Sequence, residues 1–198
     1  TLFPYTTLFR SADEIMTGFG KTGRNFASDY LTHKPDIICL GKALTAGMFP
    51  MSITSCSQEI FDGFLSDEVS KGFFHAHTFS AHPLGCAAAL AGLELLTSEE
   101  LVLRRKEISE KHRSFVERVK GHPKVNEART LGVILALDLK VEAHRYGNFR
   151  DKLYQFFMEN GVNLRPLGNT IYTLPPYTIK DNELQKIYTI IEKSLNTI

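Results

Sequence analysis

Neither sign of charge is in excess in this chain of 198 residues, where 23 lysines and arginines face 22 aspartates and glutamates. A nucleic-acid or membrane-surface binder needs a basic excess to neutralise phosphates, so polyanions are not the expected partners. Long hydrophobic runs are also missing. The strongest apolar stretches, Ile37 to Leu40 and Val133 to Leu137, are far too short to cross a bilayer, and no basic-then-apolar leader opens the sequence. The expectation is a soluble, cytoplasmic protein. Cysteine is scarce: Cys39, Cys56 and Cys86 are an odd number at wide spacing, which fits neither a disulfide framework nor a CxxC metal knuckle. They are expected to be reduced filling residues. Internal repeats and low-complexity tracts are absent.

What is present is an ordinary globular balance, 43% hydrophobic and 23% charged, long enough to bury a core. Residues 1–11 form the least coherent segment, with no amphipathic period before Ala12-Asp13-Glu14. The sequence then becomes regular. Ile37-Ile38-Cys39-Leu40, closed by Gly41, predicts a short strand covered on both faces, which places Lys42 just past its carboxyl end. Pro83 followed by Leu84 to Leu96 predicts a buried, alanine-rich helix with proline in the first turn. A polar helix is expected from Glu99 to Val119, stopped by Gly121 and Pro123, as a hinge between two domains. Beyond it, Leu131 to Leu139 predicts a strand, Phe149 to Asn160 an amphipathic helix ended by Gly161, and Val162 to Arg165 and Thr170 to Leu174 two further strands. Leu184, Ile187, Tyr188, Ile191 and Leu195 form one apolar stripe of a last helix, with Asp181 and Glu183 near its positive end.

Several short motifs carry chemistry. Gly18-Phe19-Gly20-Lys21-Thr22-Gly23 has the letters of a dinucleotide-binding turn, but Arg24 to Ser28 does not open the helix that such a turn requires. Nor is it a P-loop, because Ile15 stands where the first glycine would be. Lys42, between an apolar strand and Ala43-Leu44-Thr45-Ala46-Gly47, is expected to be partly desolvated. Burial lowers an ammonium pKa and frees the amine as a nucleophile toward an aldehyde; a lysine snorkelling from a strand end is the competing reading. Asp13, with Glu14, also falls where a strand would end, and a carboxylate there can pair with a protonated pyridine nitrogen. A solvated turn is the alternative. His75 and His77, with His82 beyond, could suggest zinc, but no matching carboxylate or cysteine follows and no metal is expected. Thr78 is preferred as a hydroxyl donor to phosphate, on a loop entering the Pro83 helix. Arg165, with Pro166 and Gly168 beside it, is suited either to bidentate capture of a carboxylate or to a surface salt bridge.

Taken in order, these pieces resemble the class III aminotransferases, which use pyridoxal 5′-phosphate (PLP). Asp13-Glu14-Ile15-Met16-Thr17-Gly18-Phe19-Gly20-Lys21-Thr22-Gly23 resembles the family's acidic pair and T-G-F-G-R-T-G, with lysine where arginine is usual. Pro35-Asp36-Ile37 and Gly41-Lys42-Ala43-Leu44 match the next landmark, and Thr78 with His82-Pro83-Leu84-Gly85-Cys86-Ala87-Ala88-Ala89 the third. The run from Leu164 to Tyr177 is most similar to the family's biotin-pathway branch; branches acting on ornithine, 4-aminobutyrate or a diamine stay open, as does a catalytically silent fragment.

The resemblance implies an α/β protein of PLP fold-type I, with part of the large domain in residues 12–98 and a connecting helix and small α+β domain in residues 99–198. It implies that Lys42 is the Schiff-base and catalytic residue and also meets substrate, and that Asp13 holds the pyridine nitrogen. It further implies that His77 and Thr78 reach the cofactor phosphate of a neighbouring subunit in a homodimer, that the backbone of Ala76 touches substrate where glycine is common, and that Arg165 binds a substrate carboxylate. It covers Ala12 to the C-terminus. Leu8 to Ser11 does not supply the apolar strand that precedes the acidic pair in the family, so the expectation is a truncated or chimeric start and a chain inactive by itself.

Overall fold

The computed structural model describes residues 9–197, and the expectation for Thr1 to Leu8 lies outside the described residues. The chain divides between Ser98 and Glu99 into two compact units.

The first unit is built on a three-stranded sheet. Its strands are β1 (Ser11–Asp13), β2 (Ile37–Leu40) and β3 (Ile53–Cys56), in the order β1-β2-β3. β1 and β2 are parallel, with Asp13 opposite Cys39; β3 runs antiparallel to β2, with Ile53 opposite Leu40. A short helix α1 (Gln58–Asp62) follows, and then α2 (Pro83–Thr97). Proline at the first helical position costs no hydrogen bond, and the His82 ring Nδ1 accepts the Gly85 N–H at 3.3 Å, so the histidine caps the helix.

Two expectations of burial fail here. β2 is half-buried along its whole length rather than covered on both faces. In α2 only Gly85 and Gly92 are buried, while Leu84, Leu90, Leu93 and Leu95 are exposed. The reason is contact geometry: α2 meets the rest of the unit through its glycines. A Cβ at Gly92 would stand 3.2 Å from the Leu44 carbonyl, and one at Gly85 would stand 3.2 Å from the Met51 sulfur. The small residues give the close approach and the leucines face outward.

The second unit holds α3 (Glu99–Val119), the meander β4 (Val125–Leu131), β5 (Ile134–Leu139) and β6 (Thr170–Thr173), with α4 (Asn148–Glu159) and α5 (Asp181–Thr197). All strand pairs are antiparallel, in the order β4-β5-β6. The alternation of β5 explains its role: Leu135, Leu137 and Leu139 are buried, with Ile134, Ala136 and Asp138 half-buried on the other face. The buried face meets Ile108, Phe115, Leu153, Phe157, Leu184 and Ile191 in a core whose members are fully enclosed. Each such side chain contributes about 1.5–3 kcal/mol by leaving water. Phe115 stacks on Tyr188 with ring centroids 4.4 Å apart. α5 keeps the expected stripe, with Leu184, Tyr188, Ile191 and Leu195 buried. α4 ends at Gly161, whose φ of +71° is the left-handed conformation that closes a helix.

Two strand boundaries differ from expectation. The single strand expected over 131–139 is two strands, because Gly132 turns at φ +61° between β4 and β5. Val162 to Arg165 joins no ladder and is locally turned, with Leu164 N–H donating to the Val162 carbonyl at 3.0 Å; its residues alternate, with Val162, Leu164 and Pro166 buried and Asn163 and Arg165 exposed. Among the described residues no helix is long and apolar enough to cross a membrane.

Candidate active site

Parallel pairing decides where the first candidates stand. Because β1 and β2 run the same way, their carboxyl ends share one sheet edge, which is where ligands collect in open α/β sheets. Asp13 is the last residue of β1, opposite Cys39, and Lys42 follows Cys39 by three positions. The Glu14 N–H extends the pairing by donating to the Cys39 carbonyl at 2.9 Å.

Lys42 opens a 3-10 turn, Lys42–Thr45, in which Leu44 and Thr45 are buried. The turn is held by Leu44 N–H to the Gly41 carbonyl at 3.0 Å and by the Thr45 hydroxyl to the Phe49 carbonyl at 2.7 Å. α2 packs against this turn through Gly92. Lys42 itself has φ +44°, a left-handed backbone that costs a non-glycine residue of order 1–3 kcal/mol and persists only where the surroundings impose it. The expected desolvation is not found. Lys42 is exposed, because the turn sends Leu44 and Thr45 inward and leaves its first side chain on the open edge.

Asp13 is exposed as well, and its Oδ1 accepts the Ile15 N–H at 2.9 Å. Glu14 points the opposite way and is 1% exposed. Its carboxylate accepts from the Thr17 hydroxyl, from Ala27 N–H at 3.0 Å and from Ser28 N–H at 2.6 Å. Burial acts to raise its pKa, but these hydrogen bonds outweigh that and hold the carboxyl below its ordinary value. The solvated-turn reading therefore fails for Glu14.

The glycine-rich segment that follows wraps this carboxylate. Gly18 N–H returns to the Glu14 carbonyl at 2.9 Å, and Gly20 N–H reaches the Asn25 carbonyl at 3.0 Å. The next helical residues are the 3-10 turn Ala27–Tyr30.

His75, Ala76, His77 and Thr78 are all exposed, in the loop leading to α2. The His77 ring Nδ1 accepts the Phe79 N–H at 3.1 Å. Among the described residues, no group of three or more histidines, cysteines, aspartates or glutamates is placed to hold a metal ion.

Arg165 belongs to the second unit. It is exposed, and among the described residues its side chain makes no hydrogen bond or ion pair. Its neighbours are fixed: Leu164 and Pro166 are buried, the Pro166 carbonyl accepts from Arg150 Nε at 3.4 Å, and Gly168 turns at φ +62°. Leu167 and Thr170 form an isolated antiparallel bridge just beyond it.

A family model described as aminotransferase class-III matches residues 8–195. The chain belongs to the class-III aminotransferase family. A relative in Synechococcus elongatus, adenosylmethionine-8-amino-7-oxononanoate aminotransferase, is 43% identical over 191 residues, covering 94% of this chain and 44% of the relative. Among solved structures, an aminotransferase from Bacillus anthracis superposes with a TM-score of 0.85 at 25% identity, covering 96% of this chain and 45% of the other. A PLP-bound amine transaminase from an uncultivated Pseudomonas species gives 0.84 at 30%, covering 96% and 44%. The chain thus spans less than half the length of the relatives it matches, and its α/β architecture is a part of the PLP transaminase fold.

Proposed function

We propose that this chain is the lysine-bearing portion of a PLP-dependent transaminase that moves an amino group from S-adenosylmethionine to 8-amino-7-oxononanoate, giving 7,8-diaminononanoate in biotin biosynthesis. The observation that carries it is the placement of Lys42, in a left-handed backbone, on the same sheet edge as Asp13. The 43% identity to a relative of that name supports the substrates, as does the run from Leu164 to Tyr177. Cytoplasmic location and a homodimer belong to the same proposal.

The donor set fits PLP. Lys42 offers an amine for the cofactor's aldehyde, Asp13 a carboxylate for its pyridine nitrogen, and Thr78, with His77, polar groups for the phosphate of the cofactor in a neighbouring subunit. The cofactor, when bound, supplies an electron sink for the carbon from which the amino group leaves. Lys42 would hold it and then take the proton from the α-carbon of the amino donor. Asp13 would keep a proton on the ring nitrogen. Arg165, with buried neighbours on both sides and a guanidinium unpartnered among the described residues, would bind the distant carboxylate of the oxo substrate and orient its ketone. The backbone of Ala76 would line the substrate path.

The test uses a full-length enzyme carrying residues 12–198 and a panel of amino donors and oxo acceptors. Turnover with S-adenosylmethionine and 8-amino-7-oxononanoate, lost in Lys42→Ala, is expected. Retained turnover in Lys42→Ala removes the lysine's role, and preference for ornithine, 4-aminobutyrate or a diamine moves the chain to another branch of the family.

A further inference from the structure

Asp13 is placed by its backbone alone. Among the described residues its carboxylate takes one hydrogen bond, from Ile15 N–H two residues on, a local turn that lasts only while the main chain from Asp13 to Ile15 keeps its course. β1 is three residues long and, among the described residues, pairs with β2 alone, so little of the sheet described fixes its last residue. The adjacent residue is fixed on every side. Glu14 donates its N–H to Cys39, accepts Gly18 N–H on its carbonyl, and spreads its two carboxylate oxygens over Thr17, Ala27 and Ser28.

No cation is among those partners. The negative charge is instead satisfied by two main-chain N–H groups thirteen and fourteen residues away and by the hydroxyls of Thr17 and Ser28. The carboxylate therefore closes the 14–28 loop on itself, and Gly18 is required within it, since a Cβ there would stand 2.8 Å from the Glu14 carbonyl oxygen. Phe19, itself buried, packs edge-on to Phe26 at 5.9 Å across the same loop. Alternation of side chains along an extended backbone then does the rest: with Glu14 locked inward, Asp13 is directed to the open edge.

We propose that Glu14 is a positioning residue: its buried carboxylate locks the carboxyl end of β1 to the 17–28 loop and thereby sets the direction of the Asp13 carboxylate. The functional meaning rests on the reading of Asp13 as the partner of a pyridine nitrogen, but the placement itself is tested without cofactor. The Ile15 amide proton reports it directly, because an N–H donating to a carboxylate is displaced downfield. In the ¹⁵N-labelled 198-residue chain, Asp13→Asn should abolish the part of that displacement due to the carboxylate charge, which identifies the signal.

Glu14→Gln should do the same while leaving the Asp13 side chain in place, because an amide group presents N–H to N–H donors and opens the loop. Thr17→Val, which removes only the hydroxyl, should move the Ile15 signal in the same direction by a smaller step, and decides the matter if Glu14→Gln does not fold. An Ile15 amide that stays at its wild-type position in these variants, while the amides of residues 17–28 move, overturns the proposal and leaves Glu14 a loop anchor only. If PLP fails to select Lys42 while Ile15 responds as expected, the proposed function falls and the positioning stands.

Discussion

His112 and Tyr188 are joined inside the second unit by a hydrogen bond of 2.6 Å between the ring Nδ1 and the phenol oxygen. The other ring nitrogen, Nε2, lies 3.1 Å from the Val133 carbonyl, which only accepts. The tautomer follows: Nε2 carries the proton and donates to Val133, and Nδ1 accepts the Tyr188 hydroxyl. One neutral imidazole thus ties α3 to the start of β5 and to α5.

Acid should therefore loosen this unit at a definite place. Burial pushes the His112 pKa down to about 4, against an ordinary value of 6.5, although the Val133 carbonyl opposes the change. A folded state that resists protonation is fully stable above the unfolded pKa and loses stability as pH falls from 6.5 toward 4, because the unfolded chain takes up the proton first. The shift corresponds to roughly 3 kcal/mol. Urea unfolding at pH 7, 5.5 and 4.5 should show this loss in the wild type and a flatter profile in His112→Gln; parallel profiles would contradict it.

Glycine substitutions should separate tight from open positions. Gly18→Ala brings a Cβ to 2.8 Å of the Glu14 carbonyl oxygen, a backbone atom that cannot step aside, whereas at Gly121 nothing lies within 4 Å. Overpacking of the first kind costs about 1–3 kcal/mol; the second should stay within about 0.5 kcal/mol. Chemical denaturation of both variants checks the contrast, and equal midpoints would count against the wrapped loop.

Helix α5 was legible because Leu184, Tyr188, Ile191 and Leu195 repeat at the helical period and all face one core. β4 was not. It is an edge strand whose open positions include Glu127 and Arg129, and Arg129 pairs across to Asp138 on β5, a contact that sequence spacing does not announce. Glu14 was illegible for a similar reason: it is held in part by the main-chain N–H groups of Ala27 and Ser28, which any residue would supply. Asp13 and Lys42 could be found from motif and strand end. Their exposure could not, since burial depends on what packs over an edge and not on the residues that form it.

Core truncation should be costly where rings are enclosed. Phe115 is fully buried and stacked on Tyr188, so Phe115→Ala should destabilise the second unit by about 3–5 kcal/mol. Near-ultraviolet circular dichroism and urea unfolding would register the loss. An unchanged midpoint would mean that this stack does not hold α3 to α5.

Arg165 should behave in the opposite way. It is exposed and, among the described residues, unpartnered, so Arg165→Ala should leave the unfolding midpoint within about 0.5 kcal/mol. In a full-length enzyme the same change should raise KM for the oxo substrate roughly 10- to 100-fold, the worth of hydrogen bonds to a charged group. A stability loss without a KM change would assign it to the fold instead.

Trapping the cofactor on its lysine tests the central claim most directly. A full-length enzyme carrying residues 12–198 is incubated with limiting PLP, reduced with borohydride and digested, and the pyridoxyl group is located by peptide mass spectrometry. Lys42 should carry the largest share of the label, with the share falling in Asp13→Asn. Label spread evenly over the surface lysines, with Lys42 no richer than Lys106 or Lys152, would contradict the assignment.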